Sequence, residues 1–232
     1  MPDRRLAFIR ELEQADEAAA AVLTELDELY GACEAVRGRA LELEAFFVRL
    51  PAERAAAVLA EEEARARLEE RRAAAERARD ELQTAQAAGD DERLAAVRRF
   101  DVRARDAVRT AERLLHEAEE NAARLEAQVE AAGDEAKELA RRARRLATAL
   151  AERPRLAAEA GAPPEEGLAG IAEWGTRARA ALLVARSQLA AERDAVVRQA
   201  NELGALVLGE PLTATSAAGV LQRVERELET GS

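Results

Sequence analysis

Residues 8–50 read FIRELEQADEAAAAVLTELDELYGACEAVRGRALELEAFFVRL. This stretch contains a series of residues spaced alternately by four and three positions, and every member is apolar: Phe8, Leu12, Ala15, Ala19, Val22, Leu26, Leu29, Cys33, Val36, Ala40, Leu43, Phe47 and Leu50. A 3.5-residue repeat of this length places one apolar seam on a helix, which must then pack against another helix. We therefore predict a first long helix within 1–50, of which residues 3–49 would span about 70 Å at about 1.5 Å per residue.

The same frame continues past Pro51 as far as Ala85. A proline pushes the preceding residue out of the α region. Two interpretations remain open: a kinked continuation of the helix, which we favour, and a tight corner with Pro51 in the first turn of a new helix. The frame breaks at 87–91, Ala-Ala-Gly-Asp-Asp, where glycine suits a helix end and aspartate suits the cap of the next helix.

A second seam begins after this break, in a new phase, and is interrupted only by Asp101. Its members are Leu94, Val97, Asp101, Ala104, Val108, Ala111, Leu115, Ala118, Ala122, Leu125, Val129, Ala132, Ala136, Leu139, Ala143, Leu146 and Leu150. If the chain folds back at Gly89, residues 91–127 lie alongside residues 51–87. We therefore predict an Ala-rich antiparallel coiled-coil arm over 51–127 with its tip at 87–91, and a return helix over 128–152 into a base.

The remaining chain is predicted to complete that base. Residues 153–167 contain Pro154, Gly161, Pro163 and Pro164 and are expected to form a linker, and a third long helix is expected over 165–208. Residues 210–232 should hold a short helix at about 216–229. The expected fold is thus all-α, a long antiparallel coiled-coil hairpin or arm on a base of three or four helices. A plain up-down-up-down bundle with its corner at Pro51 is the alternative.

Composition excludes several classes of protein. The net charge is −11, 35% of residues are charged and only 3% are aromatic, which is typical of long helices and not of a β-sandwich or a disulfide scaffold. The sequence shows no secretory signal peptide and no apolar stretch near the roughly 20 residues of a membrane span. We expect a cytoplasmic protein, and the acidic balance disfavours general binding to nucleic acid.

The residues offer little catalytic chemistry. His116 is the only histidine and has no second histidine or cysteine nearby, and Cys33 falls within the first seam. The carboxylates at 61–63 and 119–120 resemble a solvated coiled-coil face rather than a cation site. Phosphate-binding glycine loops and nucleophile motifs are not found in the sequence. We therefore predict no enzyme activity, no cofactor and no metal.

The segment 137–155 is basic, although the chain as a whole is acidic. It contains two acidic residues, Glu138 and Glu152, and seven basic residues, which we call the basic run: Lys137, Arg141, Arg142, Arg144, Arg145, Arg153 and Arg155. Arginine forks suit phosphate or an acidic partner, so this basic run is a candidate contact for an anion or a partner. The structural alternative is that these side chains oppose the helix dipole and pair with the acidic first helix.

These patterns favour a non-enzymatic coiled-coil interaction or scaffold protein that binds a protein partner, a second copy of itself, or both. Two alternatives remain: a membrane-remodelling protein, and a chromosome-associated coiled coil that uses the basic run. The hairpin tip 89–95, Gly-Asp-Asp-Glu-Arg-Leu-Ala, resembles the phage-shock protein A family over about the middle third of the chain. That resemblance implies a helical hairpin at a membrane surface, although the membrane-active helix expected before the hairpin is not evident here. A membrane surface is a possible partner but is not favoured.

Overall fold

A computed structural model describes residues 2–89, 91–165 and 167–230, with side chains from Arg4 onward. These residues form five helices and no strand: α1 (Pro2–Ala88), α2 (Asp91–Ala151), α3 (Pro154–Ala160), α4 (Leu168–Leu208) and α5 (Ala217–Thr230). The predicted all-α class is confirmed. Asp90, in the predicted break at 87–91, and Glu166, in the predicted third helix, lie outside the described residues.

The chain divides into two compact units. We call 43–136 the hairpin unit, and Met1–Glu42 with Lys137–Ser232 the bundle unit. Helix α1 runs without interruption through Pro51, so the interpretation of a tight corner there is wrong.

The hairpin unit pairs the distal half of α1 with the first part of α2 in antiparallel register. Arg54 donates to Glu126 at 2.7 Å, and Arg72 donates to Glu112 at 3.1 Å. The chain turns at Gly89, whose φ of 66° lies in the left-handed region that favours glycine. The predicted hairpin is confirmed, and all seventeen positions of the second seam are buried or half-buried, including Asp101.

The bundle unit packs the start of α1 against α4 and α5. One hydrophobic core in this unit contains Ile9, Leu12, Ala200, Val220 and Val224. Ile9 is fully buried, whereas Phe8, the predicted first member of the seam, is 41% exposed. The prediction for Phe8 was wrong because this end of α1 packs against two helices, which contact a face shifted from the 3.5-residue stripe.

A buried carboxylate links three helices of the bundle unit. Asp16 on α1 lies 2.6 Å from Arg193 on α4, and its second oxygen accepts the backbone N–H of Ala217, the first residue of α5, at 2.9 Å. Ser216 Oγ accepts the N–H of Gly219 at 3.1 Å, which completes the cap of α5. The start of α5 is thus held by α1, far away in the sequence.

The predicted linker 153–167 instead contains a seven-residue helix, α3, which begins at Pro154. Trp174 on α4 is fully buried, and its indole N–H donates to the carbonyl of Gly161 at 3.0 Å. Arg177 donates to the carbonyl of Ala160 at 3.2 Å. These side chains satisfy carbonyls at the end of α3 that would otherwise lack partners. Helix α4 begins at Leu168, three residues later than predicted.

Candidate functional site

Four arginines of the basic run lie on exposed turns of α2 within the bundle unit. Arg141 donates to one carboxylate oxygen of Glu138 at 3.4 Å, and Arg145 donates to the other oxygen. Arg142 Nε lies 3.9 Å from this second oxygen. Desolvation alone would raise the pKa of Glu138, but the hydrogen bond from Arg141 and the charge of Arg145 outweigh it and lower that pKa. Arg144 donates to a backbone carbonyl one turn earlier. Glu138 therefore already offsets part of the positive charge on this face.

The other members of the run lie apart from this cluster or have different partners. Arg153 donates to Glu25 of α1 at 2.5 Å, and Arg155 donates to Glu159 within α3 at 3.4 Å. Lys137 is exposed on α2. The structure thus brings four of the seven residues onto successive turns of α2 and places two at the start of α3, so they do not form a single site.

A groove of about 310 Å³ lies between α1, α3 and α4 of the bundle unit. Its floor is apolar and includes Leu26, Leu156 and Leu189, while Arg153 and Arg155 stand among its lining residues. Its lining also contains two carboxylates, Glu159 and Glu192, and Gln188. The groove has the mixed apolar and charged lining of a helix-packing surface rather than a cluster of groups suited to a reaction.

The two residues with the most reactive side chains stand in ordinary environments. His116 has a 71% exposed side chain and lies 3.2 Å from Glu120, one turn along the same helix. Cys33 is fully buried, and burial raises its pKa to about 11, which keeps the thiol protonated at neutral pH. In the part of the chain that the structure describes, no three or more His, Cys, Asp or Glu side chains are grouped to hold a metal ion.

The hairpin unit carries large apolar side chains on its outer surface. On α1, Val48, Val58 and Leu59 are 74%, 54% and 58% exposed. Two of them belong to a row of exposed apolar residues at alternating spacings of three and four, which places the row on one face of the helix. We call this row the outer stripe: Ala45, Val48, Ala52, Ala55 and Leu59.

The sequence analysis missed the outer stripe, although its signal was present. It has the same alternating spacing as the first seam, in a different frame of the same helix. Only one seam was followed through this region. A test of every frame for a second apolar repeat would have found it.

Comparisons of the chain with protein families, with curated proteins and with solved structures found no match. Among the described residues, no helix is both long enough and apolar enough to cross a bilayer. The geometry of the outer stripe, the groove and the basic run is therefore the basis for a functional proposal.

Proposed function

We propose that the chain is a non-enzymatic coiled-coil scaffold protein, which binds another helical protein surface through the outer face of its hairpin unit. The observation that supports this most directly is the outer stripe. The inner face of α1 is already occupied by α2, and large apolar side chains nevertheless remain in water on the opposite face. Exposed apolar patches of this kind mark interaction surfaces.

The pattern on the exposed face is that of a coiled coil. A stripe with spacings of three and four fits another helix, because knobs on one helix enter holes on its partner. The face also consists of small and branched side chains without aromatic residues, which permits close approach of a second helix. A helical protein surface is therefore the class of partner that this face suits best.

Photocrosslinking in the cell of origin tests the proposal. A benzophenone amino acid replaces Leu59 in one variant and the exposed Glu81, on the same helix outside the stripe, in a matched control. We expect a discrete protein adduct from position 59, identified by mass spectrometry as a helical protein or as the chain itself. Equal labelling from both positions, no protein adduct, or adducts only with lipid would overturn the proposal.

The basic run supports a second candidate function, binding to nucleic acid. Three of its arginines on α2 pair with Glu138 and are still largely exposed: the side chains of Arg141, Arg142 and Arg145 are 66%, 66% and 69% exposed. A gel shift with duplex DNA over a salt series tests it. Binding that weakens with salt and is lost when these arginines become glutamine would support this candidate. No shift at low salt would remove it.

A further inference from the structure

The segment 50–60 of α1 is apolar on every side. It reads LPAERAAAVLA, and only Glu53 and Arg54 are charged. A helix that is apolar all round is normally buried all round. Within the hairpin unit, however, Leu50 is the only buried residue of this segment, Ala57 is half-buried, and the other nine residues are exposed. The segment therefore has apolar surface that the described chain does not cover.

The outer stripe lies on the side of α1 opposite the packed seam. In a heptad that assigns Ala52 to position a and Ala55 to position d, position f falls at Leu50, Ala57 and Ala64, which are the residues directed towards the inside of the hairpin unit. Position f is the farthest from a and d on the helix. A second helix can therefore pack on the outer stripe without displacing α2.

We propose that the occupant of the outer stripe is the same stripe of a second copy, packed antiparallel to the first. Four of its five residues face one another in that orientation, and Ala45 faces Glu62 of the second copy. When Ala52 faces Ala55 of the second copy, Val48 faces Leu59 of the second copy, and the two-fold axis repeats both pairs. Alanines then meet at the centre, where the helices approach closely, and the larger side chains meet at both ends.

One pair of flanking charges matches in the same register. Glu44 and Arg65 occupy the g positions at the two ends of the stripe. Glu44 of each copy therefore lies beside Arg65 of the other copy. At the e positions, Arg49 lies beside Ala56 of the second copy. A parallel pairing in register would instead place Glu62 against Glu62 at a core position, and like charges there are unfavourable.

The area suits a modest but specific dimer. With Val58 and the exposed alanines included, the two copies would bury on the order of 1,000 Å² in total, close to the lower limit of specific interfaces. Self-association should therefore appear at roughly 10–100 µM rather than at nanomolar concentration.

The charges around the stripe argue against a lipid surface. Residues 44–65 hold five acidic side chains, Glu44, Glu53, Glu61, Glu62 and Glu63, against Arg49, Arg54 and Arg65. Helices that bind anionic membranes carry lysine and arginine on their polar face instead. A second copy would bury the apolar stripe and also pair with charges beside it, whereas a bilayer would bury only the stripe.

Sedimentation equilibrium of the full chain tests the pairing. We expect a concentration-dependent dimer of the 25.1 kDa chain that is lost in the double variant V48E/L59E. The matched control V102E/L114E places the same charges on two exposed apolar residues of α2 and should dimerise as the unsubstituted chain does. Circular dichroism confirms that both variants are folded.

A cysteine exchange experiment tests the orientation. A mixture of V48C and L59C chains should form an inter-copy disulfide, whereas the L59C chain alone should not, since Leu59 faces Val48 in the antiparallel register. The native Cys33 is buried and should not react. A disulfide from the L59C chain alone, a monomer at about 200 µM, or a V48E/L59E variant that still dimerises would overturn the inference.

This inference rests on the proposed function, but the two can fail separately. If the purified chain is monomeric while position 59 crosslinks to a different helical protein in cells, only self-pairing is overturned. If position 59 gives no protein adduct at all, the scaffold proposal fails as well.

Discussion

Replacement of Asp16 by alanine should destabilise the bundle unit far more than the loss of an equally short ion pair on its surface. Asp16 is 3% exposed, lies 2.6 Å from Arg193 and accepts the N–H of Ala217. A hydrogen bond to a charged group contributes about 1.5–3 kcal/mol, and a helix cap contributes about 1 kcal/mol. Arg193 is 34% exposed on its side chain and can regain water, so we expect a loss of about 2–4 kcal/mol in total.

The matched control is Asp27→Ala. Asp27 lies 2.6 Å from Arg186, but both side chains are 51% exposed, and exposed pairs of this kind contribute less than about 1 kcal/mol. The variant Asp16→Asn should fall between the two, because its amide oxygen can still accept the N–H of Ala217 while the charge is lost.

Urea denaturation monitored by fluorescence provides the assay. Trp174 is the only tryptophan and is fully buried in the bundle unit, so its emission reports the unfolding of that unit. The free energy of unfolding follows from linear extrapolation. If Asp16→Ala and Asp27→Ala change it by the same amount, within about 0.5 kcal/mol, then Asp16 does not link the three helices energetically and the argument is refuted.

Three further predictions concern packing at two glycines, the buried thiol of Cys33 and the buried carboxylate of Asp101. Gly204→Ala should lower stability by about 1–3 kcal/mol, because an added Cβ would lie 2.5 Å from Leu212 and 2.7 Å from Val220. In contrast, Gly133→Ala meets no atom within 4 Å and should raise stability by about 0.5–1 kcal/mol; urea midpoints of both variants check this. The contribution of Cys33 to stability should be constant below pH 9.0 and fall by up to about 2–3 kcal/mol between pH 9.0 and 11, because the unfolded thiol ionises first. A Cys33→Ala chain should lack this particular slope, and an unchanged slope would contradict the assignment. Arg105→Ala should destabilise the hairpin unit by about 1–3 kcal/mol, because it removes the partner 2.5 Å from the buried Asp101, whereas the double variant D101L/R105A should recover most of that loss in thermal melts.

Sequence periodicity predicted the parts of the fold in which a single helix face contacts a single partner. The second seam shows this, since every one of its positions is at least half-buried. Periodicity failed at the start of α1, where Ile9 is buried in place of Phe8, because two neighbouring helices there contact a broader face. A two-helix pattern cannot describe a position at which three helices meet.

Long-range polar contacts in the bundle unit could not be predicted from local pattern. The bond from Trp174 to the carbonyl of Gly161 holds the end of α3, where three prolines and a glycine suggested a linker. The bond from the backbone N–H of Ala217 to Asp16 spans almost the whole chain. For the candidate site, the basic run was visible in sequence, but its pairing with Glu138 was not.

Inter-copy distance measurement by pulsed electron paramagnetic resonance tests the central claim most directly, namely that the outer stripe joins two copies antiparallel. A spin label attached to a Glu70→Cys chain lies on an exposed position of the hairpin unit. In the antiparallel register two such labels are 33 residues apart along the helix axis, which corresponds to about 50 Å at about 1.5 Å per residue. A distance near that value is the predicted result. A distance below about 25 Å, as parallel helices about 10 Å apart would give, or the absence of any inter-copy signal at concentrations where the protein should dimerise, would contradict it.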